Sequence, residues 1–199
     1  MGGMIGRMTS GTVRNCKSSG TISVCYNEKS TTVASYYVGG FVGGVNGGYA
    51  YTAANLEYCY TDTDIVLTAD EYNQIPRLYV GGFTGDVYSV AFTKCIATGN
   101  LSMDIVNVGT DGTTFHGKFN GGLRWGNGSL SGYCIEFVDC YTSLDAVYNV
   151  DFVDDGSVTA KPNMELKSLS WLKENLGFDD TVWAEKDGII LLRSFIRGS

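Results

Sequence analysis

The octapeptide "VGGFVGGV", residues 38–45, decides how the rest of this sequence is interpreted. Four of its eight residues are glycine and the other four are apolar. Glycine has no side chain to bury and weakens an ordinary strand. A glycine-rich loop that holds a phosphate group leads into a helix, and no helical pattern follows this one. The stretch makes structural sense only once its recurrence along the chain is considered.

The glycine pair recurs along the chain at a regular spacing. Pairs stand at residues 2–3, 39–40, 81–82 and 121–122, and successive pairs begin 37, 42 and 40 residues apart. A second signature, with one cysteine, follows each pair. The cysteines are spaced by 43, 36 and 45 residues, and they are Cys16, Cys59, Cys95 and Cys140. Because two independent landmarks keep one order four times, we predict an array of structural repeats.

Alignment of the repeats on the cysteine produces columns of equivalent residues. Apolar residues recur six and eight positions after the cysteine, as Ile22 and Val24 do in the first repeat, and the position between them varies. Such alternation is typical of strands with one buried face. The alternation is interrupted just before the cysteine. This interruption predicts a corner or a bulge at four equivalent residues: Asn15, Tyr58, Lys94 and Asp139.

Two ladders of stacked side chains follow from these columns. The first contains the residues that directly follow the glycine pairs, namely Met4, Phe41, Phe83 and Leu123. The second contains the four cysteines of the repeat, as reduced thiols that pack like small apolar groups about 4.8 Å apart. The alternative is a disulfide between cysteines of neighbouring coils, which needs a Cα separation near 5.5 Å. The residues directly before the pairs are predicted to face inward as well: Tyr37, Tyr79 and Phe119. The alternate positions, Val38 and Val80, are then predicted to face outward.

Equivalent columns one repeat apart mean that equivalent strands lie parallel and stack. We therefore predict an all-β fold for residues 1–160, a right-handed parallel β-helix (β-solenoid) of about four coils. Each coil buries its inner face only against a neighbouring coil. Because the chain begins inside a repeat, we expect an N-terminally truncated array, with upstream coils of the same polypeptide.

The pattern changes in residues 161–199. Leucines recur there with helical spacing at Leu166, Leu169, Leu172 and Leu176. They predict a helix over about 166–176, with Ser168 as a candidate N-cap and Gly177 just past its end. Two short strands that turn at Asp187 and Gly188 follow. We interpret this segment as a small α+β cap that covers the open end of the solenoid.

Composition excludes several classes of partner. The formal net charge is −7, and no cluster of Lys and Arg is present to bind nucleic acid or anionic lipid. No apolar run of about 18 residues is present, so we expect no membrane insertion. The six cysteines form no CxxC pair, and His116 is the single histidine. We therefore expect no metal and no cofactor. Cys25 and Cys134 lie outside the cysteine column and receive no predicted partner.

The repeats resemble the GLUG-motif repeat of large bacterial surface and secreted proteins. The resemblance rests on "GGFVG" (39–43), "GGFTG" (81–85) and the segments around the column cysteines, such as "CYT" (59–61). The closing "LGFDDTVW" (176–183) also resembles a terminal unit that follows such arrays. The resemblance implies a parallel β-helix, a bacterial origin and an extracellular or cell-surface location, with adhesin-like roles. No catalytic residues belong to the repeat, so none is assigned here.

The first functional hypothesis is therefore a non-catalytic structural or binding segment of an exported bacterial surface protein. Its partner would be a glycan or a host or bacterial surface protein. Tyrosine offers a flat apolar ring with a hydroxyl group, which suits both. The candidate ligand surface is formed by the tyrosines that flank the cysteine column: Tyr58, Tyr60 and Tyr141.

Two other functions remain open at this point. A carbohydrate-active β-helix enzyme, of the polysaccharide lyase or hydrolase type, would cluster acidic or basic side chains from several coils. The densest acidic stretch, with Asp151, Asp154 and Asp155, is interpreted as a solvated turn, with a weak calcium site as the alternative. A phage tail-fibre-type β-helix would instead form trimers through an exposed apolar face.

Overall fold

The fold consists mostly of β-strands. A computed structural model describes residues 1–26, 35–46, 54–69, 75–105, 108–122, 135–148 and 158–195. In chain order the strands are β1 (Ile5–Met8), β2 (Gly11–Arg14), β3 (Lys17–Tyr26), β4 (Ser35–Gly39), β5 (Val42–Val45), β6 (Ala54–Glu57), β7 (Tyr60–Ala69), β8 (Ile75–Gly81), β9 (Thr84–Val87), β10 (Val90–Thr93), β11 (Ile96–Ala97), β12 (Leu101–Ile105), β13 (Val108–Gly117), β14 (Ile135–Val138), β15 (Tyr141–Ser143) and β16 (Thr159–Lys161). The helices α1 (Asn163–Leu166) and α2 (Leu169–Leu176), the strands β17 (Trp183–Lys186) and β18 (Ile189–Leu192) and a 3₁₀ turn (Arg193–Phe195) follow.

The strands form parallel sheets in which strands one repeat apart are neighbours. The sheet orders are β1–β5–β9, β2–β6–β10–β14 and β4–β8–β13. In a further sheet β7 pairs with β3, β11 and β12, and β11 continues to β15 and β16. The hairpin of β17 and β18 is antiparallel. The predicted all-β character and the parallel stacking are therefore confirmed, and the fold is β-helix-like.

The register of the sheets reproduces the alignment of the second and third repeats. Tyr37 lies opposite Tyr79 and Val38 opposite Val80. After the glycine pair, the amide of Phe41 donates to the carbonyl of Phe83 at 2.9 Å. The stacking thus keeps identical sequence positions in contact across a repeat, which is why the columns were visible in the sequence.

The corner predicted before each column cysteine is present in the backbone. All four residues adopt a left-handed conformation, with φ of 53°, 51°, 56° and 51° at Asn15, Tyr58, Lys94 and Asp139. This conformation is unusual for residues with a side chain. It turns the chain between β2 and β3 and at the equivalent places in later repeats. The break in alternation is therefore a bend of fixed geometry, confirmed in all four repeats.

The glycines of the opening stretch are required by close approach of backbones. A Cβ atom at Gly39 would lie 2.0 Å from the carbonyl oxygen of Val42, and one at Gly40 would lie 2.1 Å from that of Gly82. Neither distance is possible for real atoms, and a backbone carbonyl cannot rotate away. The segment therefore forms a tight corner against the next repeat, and the paired glycines are a packing requirement.

The aromatic ladder differs from the predicted one in its last member. Phe41 stacks on Phe83 with ring centroids 4.9 Å apart, and Phe83 stacks on Phe119 at 4.7 Å. The register places Gly117 opposite Gly81, so "GKFNG" (117–121) is the equivalent of "GGFTG". Alignment on the glycine pair at 121–122 therefore places the last repeat four residues too late. Leu123 lies outside the described residues.

The first member of each predicted ladder is less buried than the members that follow it. Met4 is 44% exposed, whereas Phe41 and Phe83 are fully buried. In the cysteine ladder Cys16 is half-buried, and Cys59, Cys95 and Cys140 are buried free thiols. The thiol of Cys95 donates to the carbonyl of Leu56 on the neighbouring strand at 3.2 Å. Burial of the Cys95 thiol raises its pKa. Cys134 lies outside the described residues.

The inward and outward assignment around the glycine pairs requires correction. Val38 and Val80 are buried, and they pack in a core cluster with Leu67 and Leu101. This core lies between the β4–β8 strands and the long strands β3, β7 and β12. The valines of β4 and β8 therefore point toward this core. Tyr37, which alternates with Val38 along β4, points to the opposite face of the strand.

The C-terminal segment folds as two helices and a hairpin. The predicted helix over about 166–176 corresponds to α2, which begins directly after Ser168, although the Ser168 side chain makes no capping hydrogen bond. A separate short helix, α1, precedes it. Gly177 adopts a left-handed conformation at φ 69° and ends α2. The segment packs against a side of the repeats, where Leu172 and Trp183 share a core cluster with Tyr60. Its position as a cover for the open end of the solenoid remains a prediction.

Candidate functional site

The tyrosines predicted as a ligand surface are not an open surface. Tyr60 is 1% exposed, so its assignment to a surface was wrong. Its hydroxyl group shares a hydrogen bond with Thr98 at 3.2 Å, and burial raises its pKa. The physical reason is the C-terminal segment, which covers the face of the sheet on which Tyr60 lies.

The other two predicted tyrosines contact the same segment. The ring of Tyr58 lies 5.7 Å from that of Phe178, with the cations of Arg14 and Lys94 5.1 Å and 5.3 Å from its centroid. The ring of Tyr141 meets Trp171 edge to face at 5.6 Å. All three residues therefore hold the C-terminal segment in place, which explains their recurrence without any ligand.

A different group of tyrosines lines a cavity of about 560 Å³. The size lies within the range of small-molecule sites in proteins. Its walls come from β1, β3, β4, β5 and β9. The residues that carry its chemistry are Arg7, Tyr26, Tyr36, Tyr37, Asn46 and Asp86. Aromatic walls with a few polar groups are typical of a binding site, and none of these residues was predicted as one.

The floor of this cavity is a column of three residues in neighbouring strands. Arg7 pairs with Gly44, and Gly44 pairs with Asp86. A charged residue therefore stands on each side of a position that has no side chain. A Cβ atom at Gly44 would lie 4.0 Å from the Cβ and Cγ atoms of Tyr37. A group that rests on Gly44 is thus in van der Waals contact with Tyr37.

The tyrosines of the cavity are held by contacts with other rings. Tyr26 and Tyr36 meet edge to face at 5.1 Å. Tyr37 stacks on Tyr79 with centroids 5.2 Å apart and an angle of 29° between the rings. Because each ring is supported from behind, the aromatic walls are ordered before any ligand arrives, which lowers the entropic cost of binding.

Asp86 is a buried carboxyl group on the cavity wall. It is 6% exposed, and burial raises its pKa to about 7, against an ordinary 3.8. A hydrogen bond from the amide of Val87 opposes that rise. Burial and the nearby carboxylate of Asp86 also raise the pKa of Tyr79, while Arg77 acts in the other direction. The carboxyl of Asp86 thus changes its charge near neutral pH.

Replacing Asp86 by asparagine is expected to stabilise the protein at pH 8. The folded state binds the proton more tightly than the unfolded chain, so stability falls as the pH rises from about 4 to about 7. The Asp86→Asn variant has no carboxyl group at this position, so its stability does not fall in this way. We expect a gain on the order of 2 kcal/mol, since each pKa unit corresponds to about 1.4 kcal/mol and the effective dielectric constant beside a cavity is higher than in a dry interior, which lowers the burial penalty.

The measurement is urea denaturation of both proteins between pH 4 and pH 8. The exposed Asp104 provides the matched control, and Asp104→Asn should follow the wild-type curve. Equal pH dependence in wild type and Asp86→Asn would contradict the assignment of this titration to Asp86.

Few other residues in the described part of the chain are candidates for a catalytic or metal-binding site. No group of three or more His, Cys, Asp or Glu side chains among them is placed to hold a metal ion. The structure gives the backbone of His116, opposite Val80, and Asp151, Asp154 and Asp155 lie outside the described part of the chain. Within that part, no helix is long and apolar enough to cross a membrane.

The cavity residues do carry a signal in the sequence. Arg7, Gly44 and Asp86 stand four positions after the second glycine of their pairs. These residues form one column of the alignment, two positions beyond the columns used to predict the strands. The tyrosine walls had no such signal, because they depend on how the β4–β8 strands fold back beside the glycine corner.

Comparison with known proteins supports the fold. No protein-family model and no curated protein matches the chain. Among solved structures, the chain is similar to a crystal structure described as that of a "putative immunoglobulin A1 protease from Bacteroides ovatus", with a TM-score of 0.62 and 19% sequence identity. The match covers 96% of this chain and 52% of that chain, so this chain spans about half of its length. At this identity the likeness shows a shared fold alone.

Proposed function

We propose that the chain is a non-catalytic binding segment of an exported, adhesin-like bacterial surface protein. In this proposal the parallel sheets are coils of a right-handed β-helix, about four in number, of the GLUG-repeat type. The β-helix acts as a rigid support, and its lateral surface binds a glycan or a host protein. The observation that carries the proposal is the parallel stacking of strands one repeat apart, which builds an extended lateral surface.

The chemistry of the cavity favours binding over catalysis. A hydrolytic site of the glycosidase type needs two carboxyl groups about 5 to 10 Å apart. Asp86 is the single carboxyl group among the residues that line the described cavity. Supported aromatic rings with one cation and one carboxyl group suit recognition of a ligand that has both apolar faces and hydroxyl groups.

The proposal is tested by a binding screen of the purified chain against oligosaccharides and host surface proteins. We expect saturable binding to at least one of these ligands, and no change in the ligand after prolonged incubation. Mass spectrometry of the recovered ligand measures turnover. Cleavage of a polysaccharide would favour the carbohydrate-active enzyme instead, and the absence of binding to both classes would contradict a binding segment.

A further inference from the structure

The C-terminal segment contacts all four repeats, and its contacts follow the repeats in reverse order. Trp171 of α2 meets Tyr141 of the fourth repeat edge to face, with ring centroids 5.6 Å apart. Gly177 ends α2 beside the third repeat, where a Cβ atom on this glycine would lie 3.8 Å from the Nζ atom of Lys94. Along α2 the chain therefore leaves the fourth repeat and moves back toward the first.

The residues after α2 continue in the same direction. Phe178 packs edge to face on Tyr58 of the second repeat, with ring centroids 5.7 Å apart. Trp183 of β17 reaches the first repeat, where its Nε1–H group donates to the Oδ1 atom of Asn15 at 3.4 Å. Three steps between stacked strands amount to about 14 Å. The eight residues of α2 span about 12 Å, so the helix and the loop after it cover that distance.

Three of these contacts use the left-handed corners of the repeats, at Asn15, Tyr58 and Lys94. The repeat fixes the backbone of such a corner but not its side chain, so each corner residue can match a different group of the segment. The ammonium group of Lys94 lies at the C-terminal end of α2, where the helix carbonyls carry a partial negative charge. Asp139, the corner residue of the fourth repeat, is exposed. The side chains at the corners therefore match the path of the segment.

An apolar core joins the segment to the middle of the stack. Leu172, Leu176 and Trp183 are at most 1% exposed. They share a core cluster with Tyr60 of the second repeat and Ile96 of the third. Because burial of large apolar side chains is the main favourable contribution to packing, the segment is held firmly along its length as well as at its two ends.

We propose that the C-terminal segment is a clasp that ties the first repeat directly to the fourth. In a linear array each repeat contacts only its neighbours, so a disturbance at one repeat reaches a distant one through those between them. The clasp adds a direct connection, because it follows β16, which pairs with β15 of the fourth repeat, and it ends on Asn15 of the first. The four repeats therefore open as one unit. This inference goes beyond the proposed binding function and requires no ligand.

The experiment is native-state hydrogen exchange of the full chain, measured by mass spectrometry. Asn15→Gly removes the acceptor of the Trp183 indole and keeps the left-handed corner, which glycine adopts freely. We expect the amides of β2, β3 and the β17–β18 hairpin to lose about threefold to tenfold of their protection, the loss that one hydrogen bond produces. Asp139→Gly makes the same backbone change at the exposed corner of the fourth repeat and should leave β2 and β3 unchanged. Equal protection of β2 and β3 in the two variants overturns the clasp.

A second variant tests the connection from its other end. Trp171→Ala removes the contact with Tyr141 in the fourth repeat. We expect loss of protection in β15 and also in β2 and β3, because the clasp connects these strands across the stack. Glu174→Ala changes an exposed side chain of the same helix and should leave all of these strands as in wild type. A loss in Trp171→Ala that is confined to β15 and the C-terminal segment would show that the segment is held by the fourth repeat alone, and it would overturn the clasp.

Discussion

Replacing Gly81 by valine is expected to unfold the protein or to destabilise it by about 4 kcal/mol or more. Gly81 ends β8 at the corner equivalent to the opening stretch. A Cβ atom there would lie 2.1 Å from the carbonyl oxygen of Thr84, 2.5 Å from the amide of Gly121 and 2.7 Å from the carbonyl oxygen of Phe119. These are backbone atoms of β9 and of the segment that follows β13. Relief of the clash would separate neighbouring repeats, and their hydrogen bonds would be lost.

The matched control is Gly6→Val. Gly6 lies in β1, and a Cβ atom there meets nothing within 4 Å. Circular dichroism and urea denaturation of the two variants measure the difference. We expect Gly6→Val to remain within about 1 kcal/mol of wild type, since valine is favourable in strands. A Gly81→Val protein with the wild-type urea midpoint would show that the corner is looser than the described backbone.

The sequence predicts those parts of the fold that repeat. The parallel stacking, the pairing of Tyr37 with Tyr79 and the left-handed corner before each cysteine all follow from columns, because a stacked strand gives the same environment to the same position. The sequence failed where a column was interrupted. In the last of these corners Lys118 stands in place of the second glycine. The glycine pair at 121–122 was therefore aligned in its place.

The failures at the surface have a different cause. Tyr60 and Tyr141 occupy positions that alternate with the buried cysteine column, and alternation alone assigns them to solvent. The C-terminal segment then folds onto that face and buries it. The repeat pattern of the sequence does not show which face of the repeats a non-repeated segment will cover. The same limit applies to the cavity, whose column of Arg7, Gly44 and Asp86 is visible in the alignment while its tyrosine walls are not.

The two inner surfaces of the molecule explain why the candidate site lies where it does. The aromatic ladder and the cysteines fill one core, and the valines of β4 and β8 fill another with the long strands. The chain passes from one core to the other through the glycine corner. Side chains just outside this corner, Tyr37 and Asp86 among them, face a concave angle between two sheets. Such an angle leaves room for a cavity, whereas the other faces of the stacked strands are flat.

Removing the ring of Phe83 is expected to produce the second large loss of stability, about 3 to 5 kcal/mol for Phe83→Ala. Phe83 is fully buried, it stacks between Phe41 and Phe119, and it meets Phe92 edge to face at 5.7 Å. The alanine variant leaves a cavity in the middle of the ladder, and its neighbours are held by backbone hydrogen bonds and cannot close it.

Urea denaturation measures this loss, with Phe195→Ala as the control, since Phe195 is 76% exposed and should change stability by less than about 0.5 kcal/mol. Phe83→Leu should fall between the two, because leucine fills part of the space but forms no ring stack. If the ladder is a single packing unit, Phe83→Ala combined with Phe119→Ala should cost less than the sum of the two separate losses, because each removal already breaks the shared stack. Strict additivity would instead mean that each ring packs against its own strand, and that the ring stack does not couple the repeats.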